Sequence, residues 1–248
     1  WRDGIPSCPG GPARPAGLEL DLYVRPDCRD PMSGVECMWA LRLTDVIAVV
    51  APLHGEPPEL PEGLTATFIV KNEAGLIGRC LDSLVGLVDA VVLVDTGSSD
   101  DTVPVVRAWS SASRIPVRVE HFDWVDDFAA ARNHALSLVE TRQFMWLDAD
   151  ETVENPLEVR SYLDASRPEV AFLITDMGDT CFRRERIAPT RLVRWLYPVH
   201  ECLEINGLVA VQTGFRILHR PPAERNGSLG RNKAILLTWL DREPESNR

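Results

Sequence analysis

The chain has 248 residues, 45% hydrophobic and 25% charged, with a formal net charge of −11 and a pI near 5.0. That is the composition of a soluble globular protein, long enough for one large α/β domain or one domain plus an appendage. The acidity argues against nucleic acid as the main partner, because phosphate backbones need a basic face. No apolar run approaches the roughly 18 residues that span a bilayer, and no basic–apolar–small leader is present. The six cysteines are scattered, with no Cys-x-x-Cys pair. They fit reduced thiols in a cytoplasmic protein, with one disulfide in the amino-terminal region left as the alternative.

Residues 1–63 hold ten of the nineteen prolines. Only Leu18–Val24, alternating at period two, and the apolar run Asp45–Val50 read as strands there. Pro57–Pro61 reads as a linker. The expectation is a loop-rich, partly β appendage over 1–63, followed by a domain over 64–248. From Thr65 the rhythm is strand, helix, strand: strands over 65–70, 91–94, 117–120 and 144–147, and helices over 76–84, 103–109 and 128–136. Such alternation predicts parallel pairing and a doubly wound, mostly parallel sheet flanked by helices. Beyond Glu151 the pattern turns β-like at 171–175 and 191–196, and a helix over 231–240 closes the chain.

Candidate chemistry gathers where strands end. Asp148 and Asp150 are the only Asp-x-Asp in the chain, and the i, i+2 spacing turns both carboxylates to one side of an extended backbone. Two hard oxygen donors at a sheet's carboxyl edge suit Mg²⁺ or Mn²⁺; a solvated acidic strand end is the other reading. Asp95, at the end of the second strand, has the geometry to accept from a nucleobase N–H or ribose hydroxyls, or to cap its own turn. Gly97 permits positive φ or close backbone approach. Lys71 and Asn72 end the first strand, at a nucleotide or in solvent.

Five segments in order are Ile69–Glu73, Val94–Asp100, Asp127–Asn133, Trp146–Glu151 and Val199–Glu201. Together they resemble the family 2 glycosyltransferases, and within them a bacterial branch of lipopolysaccharide core and tetratricopeptide-repeat-associated enzymes. The resemblance spans about Thr65 to Leu240 and implies a GT-A fold. It further implies a nucleoside-diphosphate sugar as donor, a divalent metal (Mn²⁺ or Mg²⁺) and inversion at the anomeric carbon. The nucleotide-binding half then covers about 64–151, and the acceptor and metal half about 152–248.

By position in those motifs, Asp150, Asp148 and His219 are the implied metal ligands. Lys71, Asn72, Asp95, Gly97, Arg132, Asn133, Asp148 and Arg231 are the implied donor contacts, with the Arg132 guanidinium at the diphosphate or in an ion pair with Asp126 or Asp127. Glu201 is the candidate general base and His200 its orienting neighbour. Gly227–Gly230 is a candidate hinge for a loop closing over the diphosphate. The acceptor stays open among glycan, lipid-linked core, peptide and natural product. A sugar-1-phosphate nucleotidyltransferase and a catalytically inactive nucleotide-sugar-binding module are the rival readings. The first lacks its basic glycine-rich loop, because Lys71-Asn72-Glu73-Ala74-Gly75 follows the first strand.

Overall fold

A computed structural model describes residues 59–221 and 228–242. The two strand patterns expected before residue 59, and Gly227 of the expected hinge, lie outside the described residues.

The first half forms as its periodicity demands. Strands β1 (Leu64–Val70), β2 (Ala90–Asp95), β3 (Val117–His121) and β4 (Gln143–Trp146) pair in parallel in the order β3-β2-β1-β4. Helices α1 (Ile77–Asp82), α2 (Thr102–Ser113) and α3 (Phe128–Ser137) make the crossovers. Side chains of successive strand residues enter opposite layers. Val91, Leu93, Met145 and Leu147 pack with Ile77, Leu81 and Leu84 on one face. Val92, Val94, Phe144 and Trp146 pack with Ala135, Leu136 and Trp195 on the other. A sheet covered on both faces is why these strands read as unbroken apolar runs.

The second half continues the same sheet as β4-β7-β6-β10-β5. Its strands are β5 (Glu151–Val153), β6 (Val170–Asp176), β7 (Cys181–Pro189) and β10 (Ala210–His219); β8 (Arg194–Leu196) and β9 (Cys202–Glu204) form a separate ribbon. β7 runs antiparallel to both β4 and β6, β10 is parallel to β6, and β5 is antiparallel to β10. Helix α4 (Pro156–Ser166) starts with proline at its first turn, where the missing N–H costs nothing. Helix α5 (Ser228–Arg242) ends the described chain.

Several expectations change. The strand expected over 191–196 shrinks to Arg194–Leu196, and β7 and α4 arise where no element was expected. Residues 228–230 belong to the first turn of α5 rather than to a loop. Among the described residues, no helix is long and apolar enough to cross a membrane.

Candidate active site

The carboxyl ends of β1 and β4, the start of α3, the loop before β9 and the end of β10 enclose a cavity of about 980 Å³. Lys71 and Asn72 reach it from β1, and Arg132 from α3. Asp148 and Asp150 come from the turn after β4, His200 and Glu201 from the loop before β9, His219 from β10 and Arg231 from α5. Nine of the twelve residues singled out in the sequence thus line one space.

The Asp148–Asp150 turn is fixed from three sides. The Asp148 backbone N–H donates to Glu151 Oε2 (3.0 Å), the Glu151 N–H to the Asp148 carbonyl (3.1 Å), and the Arg220 N–H to the Asp150 carbonyl (3.0 Å). Beneath it, the buried Cys80 thiol lies 3.6 Å from the Asp148 carbonyl oxygen, and burial pushes that thiol well above its ordinary pKa. The antiparallel register of β5 and β10 sets His219 opposite Glu151. His219 Nδ1 is therefore 3.5 Å from Asp150 Oδ1 and 3.7 Å from Glu151 Oε1. The contact with Glu151 raises the His219 imidazole above its usual pKa.

Arg132 occupies the centre. Ala129, Ala131 and Ala135 are small enough to bring α3 close to the sheet, so the Arg132 side chain is only 6% exposed. Its Nη2 donates to Asp148 Oδ1 (2.9 Å) and its Nε to Glu201 Oε1 (2.7 Å). The alternative of an ion pair with Asp126 or Asp127 is thereby corrected: the carboxylates that Arg132 meets are Asp148 and Glu201. Asp127 instead caps α3 by accepting from the Ala130 N–H (2.9 Å). Burial opposes the charge of Arg132, but Glu201 and Asp148 outweigh it and hold the guanidinium protonated. Burial likewise opposes ionisation of Glu201, and the Arg132 charge reverses that, leaving the carboxyl below its ordinary pKa. The loop carrying Glu201 is bent through left-handed backbone at Tyr197 (φ 69°) and His200 (φ 56°), which flank Pro198 and Val199.

Three residues lie outside the cavity wall. Asp95 accepts from the Ser98 N–H (3.0 Å) and so caps its own turn, where Gly97 takes φ 102°. Asn133 turns to the ribbon instead: its amide donates to the Trp195 carbonyl (2.9 Å) and accepts from the Trp195 N–H (2.8 Å). One turn of α3 cannot present neighbours to the same side, so Arg132 faces the cavity and Asn133 does not. Asn72, in left-handed backbone (φ 57°), also clasps the next loop by accepting from the Ser99 N–H (2.7 Å).

Sequence reasoning gave no role to Glu151, Arg184 or Arg186. Arg186, 2% exposed, donates to Glu151 Oε2 (2.8 Å) and Oε1 (2.6 Å) and to Thr175 Oγ1 (2.9 Å). Burial opposes the Glu151 charge, yet the Arg186 guanidinium overrides it and holds the carboxyl well below its ordinary pKa. Arg184 lines the cavity and donates to the Glu201 carbonyl (3.0 Å). The available signal was the alternation Arg184-Glu185-Arg186, which puts two arginines on one face of a strand.

Among the described residues, no three His, Cys, Asp or Glu side chains already converge as a metal site. The donor chemistry nevertheless fits a hard divalent cation: carboxylates of Asp148 and Asp150 stand beside an imidazole whose nearer nitrogen is 3.5 Å from Asp150.

A cleft lined by arginines and carboxylates at the carboxyl ends of the strands lies where α/β sheets place their ligands. A model of the family described as glycosyl transferase family 2 matches residues 66–194. The chain is 33% identical to a TPR repeat-containing protein of Synechococcus elongatus over 202 residues, 72% of this chain and 48% of that one. It is 32% identical to a lipopolysaccharide core biosynthesis glycosyltransferase of Rhizobium meliloti over 100 residues, 40% of this chain and 35% of the relative. The solved structure of S. aureus TarS 1-349 in complex with UDP-GlcNAc shares the fold, with a TM-score of 0.53 at 14% identity over 70% of this chain and 64% of that one. The chain belongs to glycosyl transferase family 2. It spans about half or less of the length of the curated relatives it matches.

Proposed function

We propose that this chain is a metal-dependent, inverting glycosyltransferase that moves a sugar from a nucleoside-diphosphate sugar to an acceptor hydroxyl. The observation that carries the reading is the single cleft of about 980 Å³ in which Asp148, Asp150, Glu201, His219, Lys71 and Arg231 meet. Family membership supports the donor class.

Asp150 and His219 would hold the divalent ion, with Asp148 beside them. When bound, such an ion neutralises the diphosphate and stabilises the charge it gains on departure. Lys71 and Arg231 add two cations to an otherwise acidic cleft. Glu201 takes the acceptor hydroxyl's proton at Oε2 while Arg132 holds Oε1. The arginine keeps the carboxylate ionised and fixed in direction, which a base attacking from the far face of the sugar requires. His200, on the same strained loop, borders the acceptor approach. In this reading the donor half is about 64–151, the acceptor half about 152–248, and residues 1–63 are an appendage.

The test is incubation with a panel of nucleotide sugars and Mn²⁺, with and without EDTA. Metal-dependent release of nucleoside diphosphate is expected. Release of pyrophosphate from a nucleoside triphosphate and a sugar phosphate would replace the reading with nucleotidyl transfer. Donor binding without turnover, in the presence of acceptor extracts, would leave only a binding module. Glu201→Gln should keep donor affinity and lower transfer by roughly 10²–10⁴-fold, the usual contribution of a general base; near-normal transfer would move the base elsewhere.

A further inference from the structure

Trp146 is the last residue of β4, two before Asp148, and only 4% exposed. It does not line the cavity, yet three guanidinium groups surround its indole. The Cζ atoms of Arg132, Arg184 and Arg186 lie 4.7, 4.9 and 3.8 Å from the ring centroid. Each of those arginines braces a different part of the cleft. Arg132 bridges the side chains of Asp148 and Glu201, and Arg184 holds the Glu201 carbonyl. Arg186 holds Glu151, whose Oε2 accepts from the Asp148 N–H.

Three like charges around one point repel one another, and each has its own carboxylate to offset this: Asp148 and Glu201 for Arg132, Glu185 for Arg184 and Glu151 for Arg186. What draws the cations to the ring itself is its electron-rich face, an attraction that grows when water is excluded. The indole is also pinned: its N–H donates to the Glu185 carbonyl, and Trp195 packs edge-on at 5.2 Å. Trp195 flanks the same guanidinium, with Cζ 5.0 Å from its centroid. The guanidinium that sets the separation of Asp148 and Glu201 therefore rests in the corner made by two indoles.

We propose that Trp146 is a positioning residue for the transfer reaction: its π face fixes Arg132, and through it the spacing between the Asp148 turn and Glu201. The inference rests on the glycosyltransferase reading for its kinetic consequence and on geometry alone for its physical one.

The experiment replaces Trp146 site-specifically with 5-fluoro-, 5,7-difluoro- and 4,5,6,7-tetrafluorotryptophan. This weakens the ring's attraction for cations stepwise at almost constant shape. Two quantities are read. The first needs no substrate: exchange protection of the Arg132 Nε–H, followed by ¹⁵N NMR. The second is Mn²⁺-dependent nucleoside diphosphate release from whichever nucleotide sugar the wild-type panel identifies.

Protection should fall along the series. kcat should fall about tenfold from tryptophan to the tetrafluoro ring, the order expected of a desolvated cation–π contact. Donor KM should stay within about threefold and the melting temperature nearly constant, because volume and packing are kept. Constant protection across the series overturns the proposal, as does a kcat that follows only the melting temperature. A wild-type protein that releases no nucleoside diphosphate from any donor would instead sink the glycosyltransferase reading, with the protection series still deciding whether the indole holds Arg132.

Discussion

In the first half of the domain the cleft is built by neighbours in the chain and adjacent loops. Asp95 caps Ser98, Asn72 reaches Ser99, and Asp100 accepts from the Ala74 N–H. The second half works at long range. Arg186 reaches Glu151 across 35 positions, Arg132 reaches Glu201 across 69, and His219 meets Asp150 through the β5–β10 register. The turn contacts thus supply shape, and the long-range contacts, which join the two halves, hold charge in place by burial. A turn tolerates the loss of one bond. A buried charge left alone is costly, so the long-range contacts should fail more sharply.

The largest expected effect tests the carboxylate proposed to hold the metal. Asp150→Ala should lower Mn²⁺-dependent donor affinity at least about 100-fold, the upper range for perturbed metal shells, with the far-ultraviolet spectrum unchanged. Titration calorimetry with and without EDTA measures it; unchanged affinity in Mn²⁺ would remove Asp150 from the site.

Next comes the buried pair. Glu151→Gln or Arg186→Met alone should cost about 3–5 kcal/mol of stability, because each strands a charge away from water. The double change Glu151→Leu with Arg186→Met should recover most of that in urea unfolding, but not donor turnover. A double variant with full turnover would show that the pair stabilises the fold and does nothing for the cleft.

The third prediction concerns acid. The Arg132 charge holds the Glu201 carboxyl below the ordinary glutamate range against the opposing effect of burial, so the acid limb of the wild-type rate profile should lie at correspondingly low pH. In Arg132→Met the largest lowering influence on Glu201 is gone, and burial, which raises a carboxyl, outweighs what Arg184 and a backbone hydrogen bond still supply. The limb should therefore move to higher pH; a limb that stays in place means another group limits the rate. Arg184 and Glu185 also face this loop and keep their charges in the variant. Smallest of all, Asp127→Ala removes a helix cap in the locally built half and should cost about 1 kcal/mol. A loss as large as that of Glu151→Gln would erase the contrast between the halves.

The same contrast explains what could be read from the chain. Apolar runs such as Val91–Val94, and the abrupt change at Asp148, announce strands and a carboxylate edge through local pattern alone. The residues lining the cleft from β1 and β4 were therefore legible. Arg186 was not, because Phe182-Arg183-Arg184-Glu185-Arg186 looks like a solvated polar run. Only the antiparallel placement of β7 against β4 buries it. Arg132 was legible as a cleft residue, but its carboxylate partners were not, since Glu201 lies 69 positions away and belongs to a different loop. Asn133 was placed by motif at the donor, whereas the helix turns it to the Trp195 backbone.

The thiol of Cys80, sealed under the Asp148 carbonyl, has one more consequence. A buried thiol with a raised pKa carries almost no thiolate and cannot be alkylated in place. It becomes reactive only when its surroundings open, the Asp148–Asp150 turn and the core face of α1 among them. The rate at which that sulfur is modified therefore reports how often this corner of the fold opens.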